Sequence, residues 1–236
     1  MTTRHRDVRA ADSLERSIRA AELRWLETWV RGPIDVAVTD LPPQVGDAAP
    51  DADLRTVSGE WRRLAAAWAT GTVLVVFLRE FGCRCAHERM RRFDGEARRL
   101  RQLGAQVVAI CQAEPIRAAE FASLYTDEVT LLCDPDLHAY GAYGLREGTL
   151  AEVLFDIPPF QRDHSRRRGL ELMERGRAAG MPRGDNPWII PAEFVVDPSG
   201  TIRLAYRYQH RCDLPDPELL FAAVEEATEA GRRDRD

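Results

Sequence analysis

Apolar and polar residues alternate along this chain with two different periods. From residue 12 to residue 31, apolar side chains return every three or four positions, which predicts an amphipathic helix that Asp12 caps and Gly32-Pro33 ends. From about residue 53, apolar runs typical of buried strands alternate with segments of helical period. The predicted strands cover residues 73–78, 106–111 and 129–132, and the predicted helices cover residues 86–103, a segment from Pro115, residues 135–140 and residues 217–229.

The order of these elements predicts the fold class. Strands that alternate with helices of this length imply right-handed crossovers and a parallel sheet. The alternation stops near the C-terminus, where residues 193–196 and 201–208 flank the turn sequence Asp197-Pro198-Ser199-Gly200 and predict a β-hairpin. The expected fold is therefore α/β, with a mixed central sheet flanked by helices.

Two segments are additions to this regular pattern. The N-terminal helix is one, and we expect it either to pack against the domain behind it or to form a dimer contact through Trp25 and Trp29. Residues 157–190 are the other, interpreted as an insertion at the sheet edge with a helix through Met173; its arginines at 162–168 form either a solvated face or a site for an anion or partner. The predicted organisation is an N-terminal helix and connector over residues 1–44, a domain over residues 45–230 and a polar tail over residues 231–236.

Composition narrows the classes of function. The chain has 236 residues and a net charge of −5, which argues against a nucleic-acid-binding face. No stretch approaches the roughly 18 apolar residues of a membrane span, and the charged N-terminus does not resemble a secretory signal, so the expected location is the cytoplasm. The five cysteines are an odd number with one close pair, unlike a secreted disulfide framework.

The close pair, Cys83 and Cys85, lies where an apolar strand breaks at Gly82 and a helical segment begins. The positive end of a helix dipole at such a junction favours a thiolate over a thiol. Two cysteines at this spacing bridge only if their Cα atoms come within about 7 Å, and the small ring would be strained and easily reduced. The spacing therefore predicts transient thiol exchange.

Several motifs in a fixed order carry a family resemblance. They are Val45-Gly46-Asp47-Ala48-Ala49-Pro50, Phe81-Gly82-Cys83, Val107-Val108-Ala109-Ile110, Asp134-Pro135-Asp136-Leu137, Tyr143-Gly144-Leu145 and Glu193-Phe194-Val195-Val196-Asp197-Pro198-Ser199-Gly200. With these motifs the chain resembles the alkyl hydroperoxide reductase/thiol-specific antioxidant superfamily over roughly residues 45–225, which implies a thioredoxin-like fold. Within that superfamily it looks most similar to the branch of prostamide/prostaglandin F synthase-like proteins.

The chain also departs from the pattern of that superfamily. Its peroxidases carry a proline seven residues and a threonine or serine three residues before the peroxidatic cysteine, where this chain has Val76 and Glu80. The threonine hydroxyl helps to bind the peroxide, so Glu80 argues against fast peroxide reduction. The branch usually separates its two cysteines by two residues, whereas here Ala86 takes the second place and Cys85 lies one position closer.

The resemblance implies roles for the cysteine pair. Cys83 takes the place of the peroxidatic cysteine and is the expected nucleophile, with Cys85 as its resolving partner. Arg79 and Arg84 are close in sequence and would add positive potential that favours the thiolate. An ungapped alignment with thioredoxins instead puts Gly82 on their first cysteine and Cys85 on their second, which would make Cys85 the nucleophile.

Other residues are auxiliary candidates. Cys212 follows the last predicted strand in a polar segment and is a candidate distant resolving cysteine. Cys111 ends a strand beside the motif strand, so it is either buried or close to Cys83, while Cys133 is expected to be a buried apolar residue. The resemblance further implies a cis-proline at Pro191, facing the active cysteine.

The predicted function is that of a thiol-dependent oxidoreductase that reduces a peroxide or a disulfide. Its electrons would come from an external thiol or a thioredoxin-like protein, and no cofactor is expected, because the sequence has no glycine-rich nucleotide-binding fingerprint. One alternative is a zinc, soft-metal or iron-sulfur site formed by Cys83, Cys85 and His87 with Cys212 or His210. Another is a non-catalytic module that binds a partner through the N-terminal helix and the insertion.

Overall fold

The computed structural model describes residues 3–34, 41–156 and 184–233. Most of the predicted insertion, including the arginine-rich stretch and the helix through Met173, lies outside the described residues. The strands are β1 Asp53–Thr56, β2 Trp61–Arg63, β3 Thr72–Phe77, β4 Ala105–Cys111, β5 Val129–Cys133, β6 Ala192–Val196 and β7 Ile202–Arg207. The helices are α1 Thr3–Arg31, α2 Ala65–Trp68, α3 Arg84–Gln102, α4 Pro115–Ala122, α5 His138–Ala142 and α6 Pro217–Arg233, with a π-helical turn over Ala151–Phe155.

All seven of these strands form one mixed sheet in the order β2-β1-β5-β4-β3-β6-β7. Strand β4 pairs parallel with both β3 and β5. Strand β6 pairs antiparallel with β3, and β7 pairs antiparallel with β6. The predicted parallel core and C-terminal hairpin are both confirmed. Strand β3 lies between β4 and β6 in the interior of the sheet, and the loop that follows it leads to the cysteine pair.

The sheet is covered on both faces, as the uninterrupted apolar run of β3 predicts. Alternate residues of this strand point to opposite sides: Leu74 and Val76 pack with the apolar faces of α3, α4 and α6, and Val73 and Val75 pack beneath α2 and α5. All six residues of β3 are buried. The strand therefore holds the start of α3 in a fixed position against the sheet.

Strands β1 and β2 and helix α2 were missed by the sequence analysis. The two strands are only four and three residues long, and most of their side chains are exposed, so they show no apolar period. The start of α1 was also placed too late, because the residues from Thr3 to Ala11 are mostly polar.

Helix α1 packs against the rest of the chain. Its Ala21 is fully buried, and Trp25 stacks on Trp29 with ring centroids 5.3 Å apart. Trp29 stacks in turn on Trp188 at 4.7 Å, and the Trp188 indole donates to the carbonyl of Thr28 at 2.8 Å. These contacts support the packing interpretation of the two tryptophans.

Candidate active site

The start of α3 positions the cysteine pair. Cys83 immediately precedes the helix in an extended conformation, with φ −88° and ψ 127°, and Cys85 lies in the first turn. The amide of Cys83 donates to the carbonyl of Glu80 at 3.0 Å, which closes the turn after β3. Both cysteines are largely covered, with 7% and 6% of their surfaces exposed.

Arg79 is the neighbour that distinguishes Cys83. Its guanidinium is buried, with Nη1 3.1 Å from Cys83 Sγ, Nε donating to the carbonyl of Ile189 at 3.2 Å and Nη2 donating to the carbonyl of Pro187. Within the described ranges, Arg79 forms no ion pair with a carboxylate. A buried cation is costly unless it is paired. The sulfur of Cys83 is therefore the group that can supply its counter-charge.

Arg84, the other predicted source of positive potential, does not share this position. Its side chain is about half exposed and lies 3.9 Å from the carboxylate of Glu88. Its charge is directed to another residue of α3 and to solvent.

Cys85 forms a disulfide with Cys212, across a sequence separation of 127 residues. Their Cα atoms are 5.6 Å apart, within the usual range for a bridge. Cys83 remains a free thiol. The expected pairing of Cys83 with Cys85 is therefore not the one in this structure, because the side chain of Cys83 is turned toward Arg79.

The segment after β7 carries Cys212 to the start of α3. Asp213 fixes this segment: its carboxylate accepts from the hydroxyl of Tyr206 at 3.1 Å and from the amide of Gln209 at 2.9 Å. Cys212 is partly exposed, unlike Cys85. An incoming thiolate therefore has better access to the Cys212 sulfur.

A buried charged cluster lies beside the disulfide. Arg89 donates from Nε and Nη2 to the two carboxylate oxygens of Glu193 at 2.8 and 2.9 Å, and from Nη1 to Glu96 at 2.6 Å. Tyr208 donates to Glu193 at 2.5 Å, and burial raises the pKa of this tyrosine well above its ordinary value, so it stays protonated. Arg89, Tyr208 and Cys85 line one small pocket. This cluster was not predicted from the sequence, although Glu193, inside the otherwise apolar strand β6, was a usable signal.

His87 is held away from the disulfide. Its Nε2 lies 2.7 Å from the carbonyl of Phe81 and its Nδ1 lies 2.5 Å from the hydroxyl of Tyr125. Nε2 must donate to the carbonyl, so Nδ1 accepts from the tyrosine in the neutral ring. Burial lowers the pKa of His87 and raises that of Tyr125 to about 12, which keeps both groups uncharged.

The residues proposed for the metal alternative are not grouped as free ligands in this structure. Cys85 and Cys212 are joined to each other, and both nitrogens of His87 have other partners. Over the described parts of the chain, no three His, Cys, Asp or Glu side chains are grouped so that they could hold a metal ion.

Cys111 and Cys133 are free cysteines that lie next to each other on adjacent strands. They lie opposite one another on β4 and β5, both fully buried, with their thiols in hydrogen-bond contact. Burial raises the pKa of Cys111. Cys111 therefore contacts Cys133 and not Cys83, and the burial expected for both is confirmed.

Pro191 and Glu80 differ from their expected roles. Pro191 lines the same small pocket as Cys85, but its peptide bond is trans, so the predicted cis bond is wrong.

The buried carboxylate of Glu80 accepts from the amide of Gly184 at 3.3 Å and interacts electrostatically with Arg117. A carboxylate in this position accepts hydrogen bonds and does not replace a hydroxyl donor to a peroxide.

Comparisons with known proteins agree on the fold. Peroxidoxin BcpB from Mycobacterium tuberculosis superposes with a TM-score of 0.53 at 17% identity, over 82% of this chain and 99% of that chain. A peroxiredoxin-like protein from Aquifex aeolicus superposes at 0.55 and 15% identity, over 80% and 90%. A putative thiol:disulfide interchange protein DsbE from Chlorobium tepidum superposes at 0.51 and 18% identity, over 79% and 99%.

The sequence itself gives a family match. No curated protein matches the chain in sequence. In the described residues, no helix is both long and apolar enough to cross a membrane. The model of the AhpC/TSA family matches residues 45–205, which is more than half of the chain. With a mixed sheet of thioredoxin-like arrangement and a redox-capable cysteine pair at the start of α3, the chain belongs to the AhpC/TSA family.

Proposed function

We propose that this protein is a thiol oxidoreductase that reduces a disulfide or a peroxide, with Cys83 as nucleophile and with Cys85 and Cys212 as the pair that holds the oxidised state. The contact of Cys83 Sγ with the buried Arg79 guanidinium carries this proposal. A nearby cation stabilises the thiolate, which is the reactive form of cysteine. The N-terminus of α3 acts in the same direction.

The first step is attack on the substrate. With a disulfide, the Cys83 thiolate forms a mixed disulfide and releases the other half of the substrate as a thiolate. With a peroxide, Cys83 becomes a sulfenic acid and one oxygen leaves as water or an alcohol. In both cases the Cys83 thiolate donates its electron pair to the new bond while the S–S or O–O bond of the substrate breaks, and Arg79 stays beside the Cys83 sulfur.

Two exchanges then carry the oxidation to the observed pair. Cys85 attacks Cys83, which forms a disulfide between them and releases the reduced substrate thiol, or water from the sulfenic acid. Cys212 then attacks Cys85, so that the bond moves to Cys85 and Cys212 and the Cys83 thiolate is restored. This end state has a free Cys83 and a disulfide between Cys85 and Cys212, as in the structure.

An external thiol or a thioredoxin-like protein completes the cycle. Its thiolate attacks Cys212, the more exposed sulfur, and Cys85 leaves as a thiolate in the first turn of α3. A second attack by the reductant on the mixed disulfide returns both cysteines to thiols. We place this chemistry in a reducing compartment such as the cytoplasm.

Disulfides are the preferred substrates in this proposal. Glu80 occupies the place of the peroxide-binding hydroxyl, and its carboxylate is engaged with Gly184. We keep the placement near the prostamide/prostaglandin F synthase-like branch as part of the proposal, because Phe81-Gly82-Cys83 leads from strand to helix as in that branch.

Trapping with single-cysteine substitutions tests the proposal. The reduced protein is treated with one equivalent of hydroxyethyl disulfide and analysed by intact mass and peptide mapping. Cys212→Ser is expected to accumulate the disulfide between Cys83 and Cys85, Cys85→Ser is expected to accumulate a mixed disulfide on Cys83, and Cys83→Ser is expected to react at least about tenfold more slowly. Cys133→Ala is the control and is expected to behave as the wild type.

Two results would contradict this assignment. A wild-type rate in Cys83→Ser, with the adduct on Cys85, would make Cys85 the nucleophile. Unchanged products and rates in all three variants would remove the thiol mechanism and favour the non-catalytic module.

A further inference from the structure

A groove of about 720 Å³ opens beside the redox centre. One wall is the segment that leads into β6, one is α5 with the loop after it, and the end of β7 closes the floor. Pro191 and Tyr208 line both this groove and the small pocket that contains Cys85. A molecule bound in the groove would therefore contact two residues that also line the pocket of Cys85.

The walls of the groove are mostly apolar. Leu137, Leu145, Ile189 and Ile190 contribute side chains, and Pro42 lies at the rim. The carbonyl of Ile189 also accepts from Arg79, which connects the groove to Cys83. Small-molecule sites typically have this size and composition, with a few placed polar groups.

Two of the three charged side chains in the groove are neutralised by neighbours. Glu147 accepts from Arg31 at 2.5 Å and from Asn186 at 2.7 Å. Arg146 donates to Glu152 at 2.6 Å. Neither of these residues leaves a charge for a ligand.

Arg207 is the exception. Its Nη2 donates to the carbonyls of Pro43 at 2.6 Å and Tyr143 at 3.0 Å, while its Nε is buried without a hydrogen-bond partner. Across the described ranges it forms no ion pair with a carboxylate. The guanidinium is half-buried, and burial lowers its pKa, so a cation lacks its counter-charge here.

We propose that this groove holds the apolar body of the substrate and that Arg207 pairs with a carboxylate on it. The inference rests on the proposed redox function, since it assigns a substrate class to that site: a small apolar disulfide that carries a carboxylate. A guanidinium and a carboxylate form charge-assisted hydrogen bonds, and an apolar wall strengthens them by excluding water.

Isothermal titration calorimetry with decanoate tests whether the groove binds an apolar chain that carries a carboxylate. Wild type is expected to bind decanoate at least about tenfold more tightly than decyltrimethylammonium, which has the same chain with a positive head group. Arg207→Met is expected to weaken decanoate binding at least about tenfold, and Arg207→Lys to weaken it less. Arg146→Met is the matched control, because Arg146 lines the same groove but is already paired, and it is expected to leave decanoate binding within about twofold.

Turnover separates this inference from the proposed function. Arg207→Met is expected to lower kcat/KM for dithiodibutyrate, a disulfide with carboxylates, at least about tenfold more than it lowers kcat/KM for hydroxyethyl disulfide. Equal decanoate binding by wild type and Arg207→Met, no decanoate binding by wild type, or equal losses on both disulfides would each overturn the groove assignment. Reduction of hydroxyethyl disulfide through Cys83 would then still stand, whereas loss of all thiol exchange would overturn both.

Discussion

Arg79 Nη1 lies 3.1 Å from Cys83 Sγ in a buried position where the arginine has no carboxylate partner among the described residues. The two residues are four positions apart in the sequence. Arg79 is the second residue after β3, and Cys83 immediately precedes α3. The turn after β3 brings them together. The guanidinium is therefore within hydrogen-bond distance of the sulfur on which the proposed mechanism acts.

Replacing Arg79 should slow the chemistry of Cys83. In Arg79→Met, the rate of Cys83 alkylation by iodoacetamide at neutral pH is expected to fall about tenfold to a hundredfold, because a hydrogen bond to a charged group contributes about 1.5 to 3 kcal/mol. Peptide mapping over time measures this rate in the reduced protein. Arg84→Met removes an arginine equally close in sequence that contacts Glu88 instead, and it should change the rate by less than about threefold. An equal loss in both variants would indicate a general effect of charge.

Removing the disulfide should lower stability only under oxidising conditions. Cys212→Ser is expected to lose about 4 to 5 kcal/mol of unfolding free energy, because the bridge closes a loop of 127 residues. Urea unfolding with and without dithiothreitol measures the difference. With dithiothreitol present, the unfolding free energies of Cys212→Ser and wild type should agree within about 1 kcal/mol. A larger difference that persists in dithiothreitol would show that the loss comes from packing of the Cys212 side chain.

Breaking one buried ion pair should be far more damaging than breaking an exposed one. Arg117 donates to both carboxylate oxygens of Asp185 at 2.9 and 2.8 Å, and both side chains are buried. Arg117→Met is expected to cost at most about 3 to 5 kcal/mol, because it removes both buried hydrogen bonds to Asp185 and leaves that carboxylate only the partly exposed Arg24, at 3.2 Å. Arg99→Met breaks the exposed pair with Glu218 and should cost less than about 1 kcal/mol.

Chemical denaturation measures both variants. Adding Asp185→Asn to Arg117→Met should recover part of the lost stability, since the buried negative charge is then removed and asparagine adopts the φ of 68° at this position more readily than most residues. If the double variant is less stable than the single one by the full cost of a second buried ion, the pair is not the source of the loss.

Stability should fall with pH below about 6.5 partly through His87. Burial holds the pKa of folded His87 below its ordinary value of 6.5, so the unfolded chain takes up a proton first as the pH falls. The contribution of neutral His87 is therefore fully present above pH 6.5 and is lost as the pH approaches the folded pKa. Urea midpoints between about pH 7.5 and 5.5 should decline less steeply in His87→Gln than in the wild type, and equal slopes would contradict this role.

The parts of the fold that could be predicted are those with a strong apolar period. Strand β3 is buried along its whole length, and its sequence of β-branched residues shows it. Strand β2 has three exposed residues, so its sequence carries no such signal. It forms because β1 offers an antiparallel edge, and the sequence of β2 alone does not contain that information.

The features of the candidate site also fall into those that the local sequence predicts and those that depend on contacts between distant segments. The position of Cys83 before a helix and the presence of Arg79 nearby follow from local sequence. The bond between Cys85 and Cys212 depends on how β7 lies beside β6, which spacing along the chain does not reveal. The pairing of Arg89 with Glu193 is likewise a contact between a helix and a distant strand, and each residue has a pattern compatible with other partners.

The stacked rings of Trp25, Trp29 and Trp188 give the molecule its own optical probe. The indole centroids lie 5.3 and 4.7 Å apart, and because fixed aromatic packing gives a near-ultraviolet circular dichroism signal, opening of the stack is expected to change that signal. Trp188 directly follows Pro187, whose carbonyl holds Arg79, and directly precedes Ile189 in the groove. Events at the thiol and in the groove can therefore be followed in solution without any label.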